Sequence, residues 1–355
     1  MQHSVISISF LIIPFLLSFY YTHLLLKALR YRNIFSIINF RSAHKYPVPN
    51  LGGLVFYAIL MLSMSISYQF DHNGYGLLLM PSVTAITIIG FKDDLIGIRA
   101  WKKFIGQAFS ILITLVIIQF SFKELNFAID FSRDFIFSIG IKIFILLLML
   151  FFINAFNFID GIDGLAGMYA LFCFSVFSIL SYLMNDWSLM VLSFTVIGII
   201  IGFLLFNLSE KRKIFMGDTG SLILGLLIAS VSLILFILKD PLKMPLEHTT
   251  KILVLILILI YPVYDAIRTV CFRLLNGHEF YAPDQTHIHH IIIKHKRWSH
   301  MKTSLIINGV NLFIFISVLT VEQCINLLSA FGVLFCFYLV ISIVLYKIQR
   351  QALPN

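Results

Sequence analysis

The sequence predicts an all-α, polytopic integral membrane protein, and three observations carry that prediction. Hydrophobic residues make up 59% of the 355 and charged residues only 12%, with a mean hydropathy of +0.95; soluble domains run at about 45–50% apolar and about 25% charged. The apolar residues gather into about eleven stretches, each near the ~20 residues a helix needs to cross a bilayer. Within a stretch they run continuously instead of forming a 3.6-residue stripe, as expected of helices surrounded by lipid and other helices.

In chain order the expected spans lie near 4–26, 51–70, 76–91, 104–121, 136–153, 164–184, 187–207, 219–238, 251–272, 304–320 and 323–346. The first lacks a basic leader and is followed by a basic loop, so it reads as a span and not as a cleaved signal peptide. No internal repeat, soluble insert or low-complexity linker interrupts the series. The whole chain, 1–355, is therefore expected to form one membrane domain. Cys173, Cys271, Cys324 and Cys336 are scattered through apolar runs without a CxxC pair and read as packing residues.

Lysines and arginines set the expected orientation. With Met1 outside, the inner loops and the tail hold 20 of them and the outer loops 6, which is the bias of positively charged cytoplasmic loops. The N-terminus is then outside and the C-terminus cytoplasmic. Cytoplasmic loops are expected at about 27–50, 92–103, 154–163, 208–218 and 273–303. The net charge of +9 follows from this anchoring and from anionic headgroups or substrates, without a nucleic-acid partner.

Five aspartates stand out at the cytoplasmic ends of these spans. Asp93 and Asp94 close one, Asp160 and Asp163 follow another, and Asp218 opens a third. A carboxylate near a bilayer is costly and usually faces a partner, a cavity or an ion. Asp93-Asp94 alone could cap a helix. Adjacent carboxylates repel, however, and Lys92, Arg99, Lys102 and Lys103 or a magnesium-bound polyphosphate would relieve them.

The run Asn154–Gly167 (NAFNFIDGIDGLAG) is more specific. A Gly-rich helix crossing explains its small residues, but not two aspartates and two asparagines away from water. Gly161 and Gly164 allow an irregular backbone that a ligand can approach. In Phe215–Ser221 (FMGDTGS), Asp218 or Thr219 reads as a helix N-cap, and a helix N-terminus also attracts phosphate. The run Pro283–His290 (PDQTHIHH) belongs to a stretch holding six of the eleven histidines. Clustered imidazoles can bind zinc, but no cysteine lies in that loop, and hydrogen bonding to a pyrophosphate or sugar, with Arg273 as anionic clamp, suits it better.

In this order, with Pro49-Asn50-Leu51-Gly52-Gly53 ahead of them, these motifs resemble the polyprenyl-phosphate N-acetylhexosamine-1-phosphate transferase superfamily (glycosyltransferase family 4) over essentially the whole membrane domain. The HIHH form and Arg273 look like the WecA/TagO branch, related to MraY, in which three consecutive histidines are usual. The resemblance implies a multi-pass protein of the bacterial inner membrane that takes a UDP-N-acetylhexosamine and undecaprenyl phosphate, with Mg²⁺, or Mn²⁺ in its place, as cofactor. UDP-GlcNAc would be the donor, with UDP-FucNAc, UDP-QuiNAc or the UDP-MurNAc-pentapeptide as alternatives. The product would start O-antigen or another envelope glycan, and a homodimer is compatible with it. Asp218 would hold the metal, with Asp93 and Asp94 near metal and acceptor and one of them a candidate base; Lys45 would meet the acceptor phosphate. Asp160 and Asp163 would serve the catalytic centre and the nucleotide pocket, with Asn157, Asn207 and Phe215 around the nucleotide. His287, His289, His290 and Arg273 would contact the diphosphate or sugar. A general base is optional, because a phosphate monoester with a second pKa near ~6 is already largely dianionic at neutral pH, so single displacement is expected over a phospho-aspartate route. A different class, an ion-coupled transporter, would place its carboxylates near the midplane between inverted repeats.

Overall fold

The computed structural model describes residues 2–35, 47–70, 74–121, 135–238, 248–275, 277 and 286–350. These form thirteen helices and no strand: α1 (Gln2–Tyr31), α2 (Gly53–Ser67), α3 (Tyr75–Leu78), α4 (Met80–Ile96), α5 (Ala100–Ser121), α6 (Phe135–Ile159), α7 (Leu165–Leu183), α8 (Trp187–Asn207), α9 (Gly217–Ile237), α10 (His248–Leu275), α11 (Ile288–Lys296), α12 (His300–Cys324) and α13 (Leu327–Arg350). Each expected span coincides with a helix, the third being shared by α3 and α4. Among the described residues nine helices are long and apolar enough to cross a membrane; α2 is a shorter apolar helix of 15 residues. The chain is a multi-pass, all-helical membrane protein.

The expected loops are shorter than the sequence suggested. Helix α4 runs to Ile96 and α5 starts at Ala100, so Asp93 and Asp94 ride on helix where a loop at 92–103 was expected. Likewise α6 continues to Ile159, carrying Asn157, and α9 begins at Gly217. An apolar run marks where lipid ends, not where the helix ends, and polar residues extend a helix when they find partners.

The described chain divides into two compact units: Met1–Asn157 with Ala170–Pro245, and Phe158–Tyr169 with Leu246–Asn355. In the first, α9 is the central helix, with nearly every residue from Thr219 to Leu235 buried. Helix α1 crosses α8 on Gly198 and Gly202; a Cβ on Gly202 would lie 2.7 Å from the Phe15 carbonyl oxygen. Small residues at such a crossing let backbones approach, and Ser18 donates across it to the Ile199 carbonyl (2.7 Å).

In the second unit, Leu253 and Leu257 of α10 pack with Ile314, Val318, Ala330 and Leu334 of α12 and α13. Helix α10 contains Pro262. A proline removes the N–H that the carbonyl four residues back would accept, and the Tyr169 hydroxyl donates to that carbonyl, Ile258 O, at 2.7 Å.

Candidate active site

In the first unit, three chain segments meet at one point because they carry glycine there. A Cβ on Gly90 would lie 2.6 Å from Thr219 Cα, and one on Gly53 2.6 Å from Gly220 Cα. The Pro49–Gly53 run is laced to the FMG run by Phe215 N–H to Pro49 O (2.8 Å), Gly52 N–H to Phe215 O (3.0 Å) and Gly53 N–H to Met216 O (2.9 Å). Gly217 has φ +72°, and a Cβ there would lie 2.6 Å from Asp94 Oδ2. Only glycine suits that backbone at that distance.

Asp94 sits one turn beyond Gly90 on the same face of α4. Its Oδ1 accepts Asp218 N–H (2.8 Å), and its Oδ2 accepts Thr219 N–H (2.9 Å) and Thr219 Oγ1–H (2.6 Å). Asn50 Nδ2 lies 3.4 Å from Asp94 Oδ1. Asp94 is thus an N-cap supplied by a neighbouring helix: it satisfies N–H groups that α9 cannot bond internally.

Asp93 and Asp218 face a different group. Lys103 Nζ, from the first turn of α5, lies 2.9 Å from Asp93 Oδ2 and 2.9 Å from Asp218 Oδ1. Asp93 Oδ1 accepts Ile98 N–H (2.8 Å), which orients it at the end of α4. Asp218 is the more open of the pair, its side chain 30% exposed against 13% for Asp93. Two carboxylate oxygens, from two carboxylates, converge on one cationic nitrogen. That negative excess and those oxygen donors suit Mg²⁺, which takes one or two carboxylates and leaves other positions to substrate phosphates. No cluster of three or more candidate metal-ligating His, Cys, Asp or Glu side chains occurs among the described residues.

The remaining expected residues of this unit hold structure around that point. Asn207 is 6% exposed and donates to Ile214 O (3.0 Å), closing the loop before Phe215. Asn157 accepts from Ser221 Oγ (2.6 Å) on the first turns of α9. Phe215 is half-buried. Lys45 lies outside the described residues.

The second unit repeats the capping device. Asp265 of α10 accepts Ile288 N–H (2.9 Å) at Oδ1, and its Oδ2 lies 2.8 Å from His287 Nδ1. It thereby caps α11, the helix of the HIHH run, and fixes the His287 ring so that Nδ1–H donates to the carboxylate. Arg268 lies 3.7 Å from Asp265 Oδ1 and donates to the Thr286 carbonyl. Phe158 packs on the His287 ring, with centroids 5.5 Å apart.

His289 is fully buried, and among the described residues neither ring nitrogen has a hydrogen-bond partner. It lies against Gly161, where an added Cβ would overlap the ring (3.1 Å from Cε1). Burial, reinforced by neighbouring His290, His287 and His300 and opposed by Asp265, holds its pKa well below the usual 6.5. His290 packs on His289 at 4.2 Å between centroids. Arg273, on α10, is 9% exposed. Asp160 is half-buried in the turn after α6, and Asp163, 7% exposed, lies 2.8 Å from His300 Nδ1 through Oδ2. Pro283–Gln285 lie outside the described residues.

The motif residues therefore gather into two sets, one per unit: Asn157, Asn207, Phe215, Asp93, Asp94 and Asp218 in the first, and Asp160, Asp163, Arg273, His287, His289 and His290 in the second. Sequence reasoning passed over Asp265, Arg268 and His300. An aspartate inside the apolar run Ile258–Val270 was the available signal for Asp265, by the same cost argument that singled out the other five. Lys103 was noticed only as a basic neighbour.

Residues 76–236 match the pattern of glycosyl transferase family 4. A phospho-N-acetylmuramoyl-pentapeptide-transferase from Lactobacillus johnsonii is 32% identical over 54% of this chain and 63% of its own length. A protein of the same name from Lactiplantibacillus plantarum is 28% identical over 76% of this chain and 82% of its own. A decaprenyl-phosphate N-acetylglucosaminephosphotransferase from Mycobacterium leprae is 29% identical over 72% of this chain and 68% of its own. These matches make the chain similar to members of the polyprenyl-phosphate hexosamine-1-phosphate transferase superfamily. Its many apolar helices and its similarity to these relatives make it a multi-pass bacterial membrane protein. Its match covers less than two thirds of the L. johnsonii relative.

Proposed function

We propose that this protein transfers an N-acetylhexosamine-1-phosphate, GlcNAc-1-phosphate by preference, from its UDP-sugar to undecaprenyl phosphate at the cytoplasmic face of the inner membrane. The convergence of Asp93 and Asp218 on one cation beside the capped N-terminus of α9 carries this reading. An acceptor phosphate oxygen attacks the β-phosphorus of the donor. A new P–O bond forms, the bond from that phosphorus to the α,β-bridging oxygen breaks, and UMP leaves with the electron pair. Phosphoryl transfer of this kind needs in-line positioning and charge neutralisation more than covalent chemistry by the protein.

Asp218 and Asp93 would hold Mg²⁺, which supplies charge neutralisation on the phosphates when bound. Lys103 adds a positive charge at the same point. Asp94 positions the first turn of α9 and hence Asp218. In the other unit, Asp265 holds the His287 ring in place through Nδ1, and His290 and Arg273 would offer donors to anionic oxygens. Asp160 and Asp163 are assigned to the donor nucleotide and sugar. The GlcNAc preference is supported by the HIHH form and by the N-acetylglucosamine phosphotransfer for which the M. leprae relative is named; the two Lactobacillaceae relatives favour a UDP-MurNAc-pentapeptide donor as the second reading. An O-antigen or other envelope glycan would follow from the first.

Purified protein with undecaprenyl phosphate, Mg²⁺ and a panel of UDP-sugars tests this. UMP release with UDP-GlcNAc and a lipid-linked GlcNAc product is expected. Turnover only with UDP-MurNAc-pentapeptide would select the second reading, and no UMP with any donor would refute both. Cysteine accessibility from each side of oriented vesicles would test the proposed outside N-terminus.

A further inference from the structure

Helix α12 carries three polar residues at four-residue spacing, His300, Ser304 and Asn308, which share one face. All three bind the turn of the NAFNFIDGIDGLAG run. His300 Nδ1 lies 2.8 Å from Asp163 Oδ2, Ser304 Oγ donates to the Asp163 carbonyl (2.7 Å), and Asn308 Nδ2 lies 3.5 Å from Leu165 O. Ser304 is fully buried and Asp163 is 7% exposed. The turn itself is irregular, with Gly164 at φ +79° and a Leu165 N–H to Ile162 O bond of 3.3 Å. Its geometry is thus imposed from α12, which holds Asp163 by side chain and backbone at once. His300 is also the first residue of α12, after the Ser299 cap, where the positive end of the helix favours a carboxylate.

We infer that His300 is a positioning residue for donor binding: by fixing one oxygen of Asp163 it aims the Asp163 carboxylate at the nucleotide of the UDP-sugar. This rests on the transferase reading above and adds to it a residue outside the five recognised motifs. The function of the histidine is geometric. Its Nδ1–H reaches Asp163 in the neutral or the charged imidazole, and the Nδ2 of an asparagine can take the same place.

The test is steady-state UMP release by the full-length enzyme with His300→Ala and His300→Asn, varying donor and acceptor separately. A hydrogen bond to a charged group supports an expected rise of about tenfold to a hundredfold in donor KM for His300→Ala, with acceptor KM within about twofold. His300→Asn should bring donor KM back to within about fivefold of wild type. Unchanged donor KM in His300→Ala overturns the inference, as does an equal rise for both substrates with no recovery in His300→Asn, which is the pattern of a purely structural contact. Absence of UMP release by the wild-type protein is a different outcome: it refutes the transferase reading, and the assignment to His300 falls with it.

Discussion

Asp94 accepts the backbone N–H of Asp218, so one carboxylate of the paired aspartates fixes the position of the third (2.8 Å). The two members of the Asp93-Asp94 pair consequently do different things. Asp94 turns inward to cap α9, with both oxygens occupied, while Asp93 turns to Lys103 and Asp218. A DD pair that looks like one acidic unit in sequence is, on helix α4, a structural group beside a site group, because consecutive residues on a helix point about 100° apart.

This division predicts different losses for two conservative changes. Asp94→Ala removes three hydrogen bonds to the first turn of α9 and should cost at least the ~0.5–2 kcal/mol of a lost cap, read as a lower melting temperature in detergent, together with reduced turnover. Asp218→Asn leaves the cap intact and should abolish turnover by weakening Mg²⁺ binding, with little change in melting temperature. Equal thermal losses in the two variants, or near-normal activity of Asp218→Asn at limiting Mg²⁺, would contradict the assignment.

Gly90 should tolerate no side chain. A methyl group there meets Thr219 Cα at 2.6 Å, and both partners are backbone of packed helices that cannot swing aside. Gly90→Ala is expected to destabilise by about 1–3 kcal/mol and to displace the Asp94 cap with it. Thermal unfolding checks this, and Gly97→Ala, where an added Cβ meets nothing within 4 Å but the φ is +63°, measures backbone strain alone for comparison.

Most of the architecture was legible before any coordinates. The expected spans were marked by continuous apolar runs. Ten coincide with single helices, and the third is divided between α3 and α4. Among the described residues nine helices are long and apolar enough to cross a membrane. Helix ends were not legible, since Asp93, Asp94 and Asn157 look like loop residues until their partners on α9 are known. The five aspartates could be found by cost, but not their partners. Lys103 lies nine residues from Asp94 in sequence, and its meeting with Asp218 depends on how α4, α5 and α9 pack. Asp265 was hidden because a single carboxylate in an apolar run does not announce that it caps a helix 23 residues later.

Lys103 predicts a metal response. Removing its ammonium leaves Asp93 and Asp218 facing each other without a cation, a loss of up to about 3–5 kcal/mol for a fully buried pair and less here because Asp218 is partly open. Lys103→Met should therefore melt lower than wild type in EDTA and recover more of its stability on adding millimolar Mg²⁺ or Mn²⁺. A metal-induced shift no larger than that of wild type would show that Asp93 and Asp218 do not share the ion.

The His287–Asp265 contact predicts a large kinetic effect from a small substitution. Asp265→Asn keeps the shape but places an amide where two N–H groups need acceptors, so His287 loses its fixed tautomer and ring orientation. A misplacement of about 1 Å in such a group can cost about 10²-fold in rate. A drop of that size in kcat for Asp265→Asn is expected, with the variant still folded by thermal unfolding. Wild-type turnover would show that His287 does not act on the substrate.

His289 gives the protein an acid limit whose sign is fixed by its burial. In the folded chain its pKa is well below 6.5, while the unfolded chain has the ordinary value of 6.5. Below pH 6.5 the unfolded state therefore takes up a proton that the folded state does not, so stability from this residue is complete above pH 6.5 and is lost as pH falls below it, by up to about 1.4 kcal/mol per pH unit. Loss continues until the lowered folded-state pKa is reached. Replacing His289 with leucine removes this titration while filling the space against Gly161. Melting temperatures measured at pH 5 and pH 7.5 should differ less in His289→Leu than in wild type, and an equal or larger difference in the variant would mean that acid sensitivity arises elsewhere.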